Sequence, residues 1–141
     1  MNLLFVYGSL KEGFPNFHIN QGRRLPGDYV TAEPYPLFLH DGQLPCLLPT
    51  AGTGLRVRGQ VFEVTPEALA ATDALERVGE EGGYRRIEIE VEVVPAGADA
   101  AGSPRLAAFV YVQDPRFLDR PGEHVGPIDE YTLDRAQSLR W

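Results

Sequence analysis

The chain has 141 residues, 43% of them hydrophobic, so it is long enough to bury one core and too short for a second. Thirteen basic residues against 20 acidic ones leave a net charge of −7 with no basic stripe, which argues against nucleic acid as a partner, since a polyanion needs clustered Lys and Arg. One cysteine, Cys46, allows no internal disulfide, no apolar run reaches the roughly 18 residues of a membrane span, and no signal segment precedes Leu3, so the expectation is a soluble protein of the reducing cytoplasm that meets no membrane.

In chain order, Leu3-Leu4-Phe5-Val6 reads as a buried strand, and at Gly8 the apolar pattern gives way to the turn Gly8-Ser9-Leu10-Lys11-Glu12-Gly13. A strand running into a Gly-Ser turn leaves backbone N–H groups unpaired and facing one way, which suits a carboxylate or phosphate. Ser9 and Glu12 have the spacing of a capping box. Asn16 caps a predicted short helix through Asn20 that Gly22 stops. Between Asp28 and Leu48, a Pro- and Gly-rich stretch holds short strands at Tyr29-Val30, Pro36 to Leu39 and Cys46 to Leu48.

After Gly54, Leu55, Val57, Gly59, Val61 and Val64 give a mostly alternating strand. Thr65-Pro66-Glu67 then opens a helix, with Thr as cap, Pro at the first helical position and an acid in the first turn; it runs to about Arg77, where Gly79, Gly82 and Gly83 break it. Tyr84 to Val94 is the longest predicted strand, with Ile87, Ile89, Val91 and Val93 alternating against Arg86, Glu88, Glu90 and Glu92. A Gly/Ala/Pro hairpin connection over 95–104 leads to a strand from Leu106 to Val112, and a final helix is expected from Ile128 to Leu139. Strands dominate around one helix, so the fold class is α+β: a small, mixed, mostly antiparallel sheet that curls into a barrel with flanking helices. The whole of 1–141 is one domain, with 113–141 as a C-terminal extension.

Few residues carry chemistry by pattern. His18, His40 and His124 are far apart and read as surface or loop residues without metal-ligand spacing, and Cys46 between Pro45 and Leu47 reads as a packed thiol. Ser9 lacks a Gly-x-Ser-x-Gly elbow, so capping or ligand binding fits it better than a nucleophile's role. Gly8 and Gly13 match neither dinucleotide nor P-loop spacing. On the helix, Ala68, Thr72 and Leu75 mark the apolar stripe, and Glu76 falls about 40° from Thr72 and about 20° from Leu69. A lone helical Glu is usually solvated. One at the flank of a buried stripe has its pKa raised by desolvation, as a general base near neutral pH requires. Asp73 lies nearer to solvent. Tyr84 and Arg86 share a face of the long strand, either as an ordinary strand start or as part of a site.

Together, Val6-Tyr7-Gly8-Ser9-Leu10-Lys11-x-Gly13-x-x-Asn16, Pro34-Tyr35-Pro36-Leu37, Gly59-Gln60-Val61-Phe62-Glu63-Val64, Asp73-Ala74-Leu75-Glu76 and Tyr84-Arg85-Arg86 resemble the gamma-glutamylcyclotransferase-like superfamily, in particular its gamma-glutamylamine cyclotransferase branch. The resemblance implies a small barrel whose mouth, formed by Tyr7, Gly8, Ser9 and Leu10, binds the substrate's alpha-carboxylate and amine. It assigns Glu76 as catalytic acid/base and maps the family's Tyr-x-Arg onto Tyr84 and Arg86; Tyr7 and Tyr84, from their placement at the ends of strands, are expected to line the pocket. The implied substrate is a small gamma-glutamyl amine or amide, cyclised to 5-oxoproline with release of the amine, without metal or organic cofactor. Two other readings stay open: a non-catalytic small-molecule binding or interaction module of the same fold, and removal of a gamma-glutamyl group from a biosynthetic intermediate. Neither the leaving amine nor the oligomeric state can be read from the residues.

Overall fold

The computed structural model describes residues 2–40, 44–81, 83–94, 105–116 and 124–132. Strand β1 (Asn2–Val6) is the hub of the pairing. It runs antiparallel to β6 (Arg58–Val64) along its whole length and parallel to β8 (Arg105–Val112), the one parallel pairing among the described residues. β8 is antiparallel to β7 (Arg85–Val93), β7 to β3 (Tyr29–Thr31), and β3 to β6, so the ring β1-β8-β7-β3-β6 closes on β1. Closure removes the unpaired strand edges that an open sheet would expose. β2 (Arg23–Arg24) pairs with β6 beyond the end of β3. A second antiparallel sheet has the order β5 (Leu44–Leu47), β4 (Leu37–His40), β9 (His124–Ile128). The α+β barrel expected from the strand pattern is the observed architecture.

The unbroken apolar run of β1 has a direct cause, since a strand covered on both faces has no reason to alternate. Phe5 faces the barrel interior with Val61, Val91 and Val110, while Leu4 and Val6 face outward beneath the helix α1 (Pro66–Leu75) with Phe62, Ala68 and Leu69. Gly59 on β6 permits the close approach of the two strands: a Cβ there would run into the Val6 carbonyl oxygen and come within 2.8 Å of the Phe5 ring. β7 is covered on one face only, so Ile89 and Val91 are buried while Glu88 and Glu90 are exposed.

α1 begins as its sequence dictates. The Thr65 hydroxyl oxygen accepts the Ala68 N–H at 3.1 Å, Pro66 takes the first helical position and Glu67 lies in the first turn. It buries Ala68, Leu69 and Thr72 and ends at Leu75, leaving Glu76 as C-cap and Arg77 in a left-handed conformation (φ 58°). No described helix is long and apolar enough to cross a membrane.

Four local expectations need correction. The strand expected from Leu55 starts at Arg58; Leu55 is largely exposed and bridges to Tyr35. The short helix after Asn16 is a single 3-10 turn, Phe17–Ile19, without a side-chain cap. Ile128 closes strand β9 rather than opening a helix, because its segment pairs with β4, and 129–132 are not helical; the remainder of that expected helix lies outside the described residues. His40 and His124, expected as separate surface or loop residues, face each other across β4 and β9 with ring centroids 5.0 Å apart. The expected 95–104 connection lies outside the described residues.

Candidate active site

Where β1 leaves the barrel, the chain turns across the mouth of a cavity of about 180 Å³. The turn is held from behind. Lys11 N–H donates to the Gly8 carbonyl at 3.1 Å, Asn16 N–H to the Ser9 carbonyl at 2.9 Å, and Asn16 Nδ2 to Ser9 Oγ at 2.9 Å. The buried Lys11 ammonium donates to the Tyr131 carbonyl at 2.6 Å and lies 4.3 Å from the centre of the Phe14 ring. With the carbonyls engaged this way, the N–H groups of Gly8, Ser9 and Leu10 donate to no oxygen among the described residues. All three residues line the cavity, and main-chain donors without partners can bind an anion without a charged side chain.

The expected capping box is not formed. Ser9 Oγ takes the Asn16 amide, and Glu12 N–H reaches across to Gln60 Oε1 at 2.7 Å, so tertiary partners displace the local ones that the spacing suggested. Because Asn16 donates to Ser9 Oγ, the hydroxyl proton of Ser9 is left for a ligand.

The opposite wall is built from side chains. Glu76 enters from the end of α1, its N–H bonded to the Thr72 carbonyl at 3.0 Å and its own carbonyl accepting the Tyr84 N–H at 2.9 Å. That second bond fastens Tyr84 beside Glu76 despite the glycine-rich link between them. Gly83 presses against the Arg77 carbonyl there, a contact without room for a Cβ. No described cation or donor pairs with the Glu76 carboxylate, and burial raises its pKa from 4.5 to about 7. Tyr7, Tyr84 and Tyr111 surround it, each with a hydroxyl pKa raised, first by burial.

The sequence-predicted residues Tyr7, Gly8, Ser9, Leu10, Glu76 and Tyr84 all line this one cavity. Arg86 does not; it binds Asp73 at 2.6 Å instead. Sequence reasoning missed Tyr111 and Pro45 in the lining. Alternation along β8 carried a signal for Tyr111, since it sets that residue on the face opposite Val110 and Val112. Nothing local marked Pro45, which arrives from the second sheet. Cys46, buried as expected, has its sulfur 3.6 Å from the Tyr84 hydroxyl. Among the described residues no group of three or more His, Cys, Asp or Glu could hold a metal ion.

A closed barrel whose cavity brings together unpaired main-chain donors and a desolvated carboxylate has the parts that a small-molecule enzyme without a charged binding side chain would use. The family described as "Gamma-glutamyl cyclotransferase, AIG2-like" matches residues 4–132. The chain belongs to that family, and the resemblance read from the motifs is borne out. It is 32% identical to Gamma-glutamylaminecyclotransferase B of Danio rerio over 150 residues, covering 100% of this chain and 73% of the relative. It is 33% identical to Gamma-glutamylaminecyclotransferase of Homo sapiens over 156 residues, covering 100% and 96%. Among solved structures, an AIG2-like protein from Mus musculus superposes with a TM-score of 0.73 at 28% identity, covering 100% of this chain and 95% of that one.

Proposed function

We propose that this chain is a gamma-glutamylamine cyclotransferase, with Glu76 as its general acid/base and the N–H groups of Gly8, Ser9 and Leu10 as the holder of the substrate alpha-carboxylate. The observation that supports this reading is that Gly8, Ser9 and Leu10, whose N–H groups have no acceptor among the described residues, and Glu76, whose burial raises its pKa to about 7, line one cavity.

In a gamma-glutamyl amide the alpha-nitrogen and the gamma-carbonyl belong to one molecule, and attack closes a five-membered ring. Holding the folded conformer therefore supplies much of the rate through proximity. The alpha-ammonium has no lone pair until Glu76 removes a proton from it. The nitrogen then adds to the gamma-carbon, and the carbonyl oxygen takes up negative charge that a loop N–H or the Ser9 hydroxyl can stabilise. Glu76 returns its proton to the leaving nitrogen, the carbon–nitrogen bond breaks, and the ring nitrogen gives up its second proton, which the departing amine carries away as an ammonium, leaving 5-oxoproline. A carboxyl that is half ionised near neutral pH serves both steps. The Tyr7 and Tyr84 hydroxyls donate to the carbonyls of Tyr111 at 2.7 Å and Pro45 at 2.6 Å, so neither proton is left to bind a substrate carboxylate.

The test is 5-oxoproline release from a panel of gamma-glutamyl amines by the native chain and by Glu76→Gln. Loss of about 10²- to 10⁴-fold in kcat/KM is expected for the variant. Native-like turnover by a folded Gln variant removes Glu76 from its role, and ligand binding with no product from the native chain replaces the enzyme with a binding module.

A further inference from the structure

The three-stranded sheet contributes only Pro45 to the cavity lining, yet it meets the binding turn at both ends. The turn is closed by the hydrogen bond from Lys11 N–H to the Gly8 carbonyl. At the Gly8 end the Pro45 ring of β5 lies so close that a Cβ on Gly8 would stand 3.1 Å from Pro45 Cγ. At the Lys11 end the contact comes from just beyond β9, where the Tyr131 carbonyl accepts from Lys11 Nζ at 2.6 Å across 120 residues of sequence. β5 and β9 are the opposite edges of the sheet, with β4 between them. The two ends of the turn therefore rest on the two edges of one sheet.

Tyr131 is itself fixed. It is fully buried with Leu39 of β4, and its ring centre lies 6.1 Å from that of Phe14. Two residues earlier, the Asp129 carbonyl accepts the Arg58 N–H at 2.7 Å, which ties the segment to the barrel. Phe14 N–H donates to the Lys11 carbonyl at 3.0 Å, and the Phe14 ring centre lies 4.3 Å from the Lys11 ammonium. Burying an ammonium costs desolvation, which here the carbonyl and the ring face offset. A shift of Tyr131 removes that offset, so the lysine and the turn follow it.

We propose that the three-stranded sheet is the platform that sets the position of the Gly8, Ser9 and Leu10 donors, with Lys11 and Tyr131 as the positioning residues that couple it to the turn. The consequence for turnover rests on the reading that these donors hold the substrate carboxylate; the coupling of sheet to turn does not. Neither residue lines the cavity, so both act through the main chain they hold.

The experiment uses Lys11→Met, which keeps an apolar stem and removes the ammonium, and Tyr131→Ala, which removes the ring that seats the carbonyl. Nitrogen-15 NMR of the native chain and both variants should show the Gly8 and Ser9 amide signals displaced in each variant, while those of Val91 and Val110 in the barrel keep their positions. Native Gly8 and Ser9 signals in either variant overturn the proposal. With a gamma-glutamyl amide as substrate, Lys11→Met should raise KM about tenfold and leave kcat within about twofold, since a misplaced donor weakens ground and transition states alike. The double variant should raise KM no further than the larger single effect, because both substitutions cut one link. Single effects that multiply, or a loss confined to kcat, overturn the proposal. If Tyr131→Ala does not fold, Tyr131→Leu keeps the apolar volume and still removes the ring, with the same outcomes expected. Should the native chain release no 5-oxoproline, the cyclotransferase reading fails and the amide signals alone decide the coupling.

Discussion

The two walls of the cavity are made by different means. On the β1 side the proposed binding groups are main-chain N–H donors, and the side chains of Lys11 and Asn16 brace the turn that carries them. On the α1 side the groups are acceptors: one carboxylate and three phenol oxygens whose protons point elsewhere. A donor wall facing an acceptor wall matches a zwitterion, with its carboxylate on the first and its ammonium on the second. The difference teaches where each wall is vulnerable. A backbone wall fails when the strand beneath it moves, and a side-chain wall fails when one atom is exchanged.

The sharpest separation comes from Glu76→Gln, which destroys the acceptor wall's chemistry and leaves the donor wall alone. Its stability should also rise. Folded Glu76 keeps a proton up to about pH 7 and the unfolded carboxyl only to about 4.5, so between those values the native state binds more protons and the native chain loses stability as pH climbs. Glutamine carries no such dependence. Denaturant melts should show the variant and the native chain diverging above about pH 4.5, with a gap approaching about 3 kcal/mol above pH 7 in the variant's favour. A gap of the same size at pH 4.5 and pH 8 would mean that Glu76 is not desolvated and that the acceptor wall is an ordinary solvated surface.

Gly59→Ala probes the other wall from beneath. Its Cβ would meet the Val6 carbonyl and the Phe5 ring, one residue before the loop begins, so β1 must shift. A cost of about 1–3 kcal/mol in a thermal melt is expected, together with a higher KM, while the acid limb set by Glu76 stays in place. An unchanged KM alongside a lowered melting temperature would separate the loop from the strand and undo the claim that backbone position governs binding.

Residues whose surroundings are local were legible in the sequence. Thr65, Pro66 and Glu67 start a helix through contacts within one turn, and β7 alternates because the barrel covers one of its faces and water the other. β1 was readable as a strand, but only the structure shows why it does not alternate: α1 covers its outer face. Ser9 and Glu12 misled because Asn16 and Gln60 outcompete them for each other, and Gln60 lies 48 residues away from Glu12. Ile128 misled because β4 supplies a strand partner that its own neighbours do not reveal. Tyr111 and Pro45 come to Glu76 from β8 and from a different sheet, and no spacing along the chain encodes that meeting. The motif resemblance bridged part of this distance by joining the Tyr7 to Leu10 loop to Glu76, which neither helical angle nor glycine count could do.

The smallest test bears on whether the donor wall is backbone alone. Ser9 Oγ accepts from Asn16 Nδ2, and its proton is the one side-chain donor that the loop can add to its three N–H groups. If that proton meets the substrate carboxylate, Ser9→Ala loses one charge-assisted hydrogen bond, and KM should rise about tenfold with little change in kcat, since the carboxylate is bound equally in ground and transition states. If it meets the developing oxyanion instead, the same substitution lowers kcat and leaves KM nearly unchanged. Asn16 loses its acceptor in either case, so Asn16→Ala serves as the control that measures the slackened turn. A Ser9→Ala effect no larger than the Asn16→Ala effect would leave the wall to the backbone entirely, and the contrast between the two sides of the cavity would then be complete.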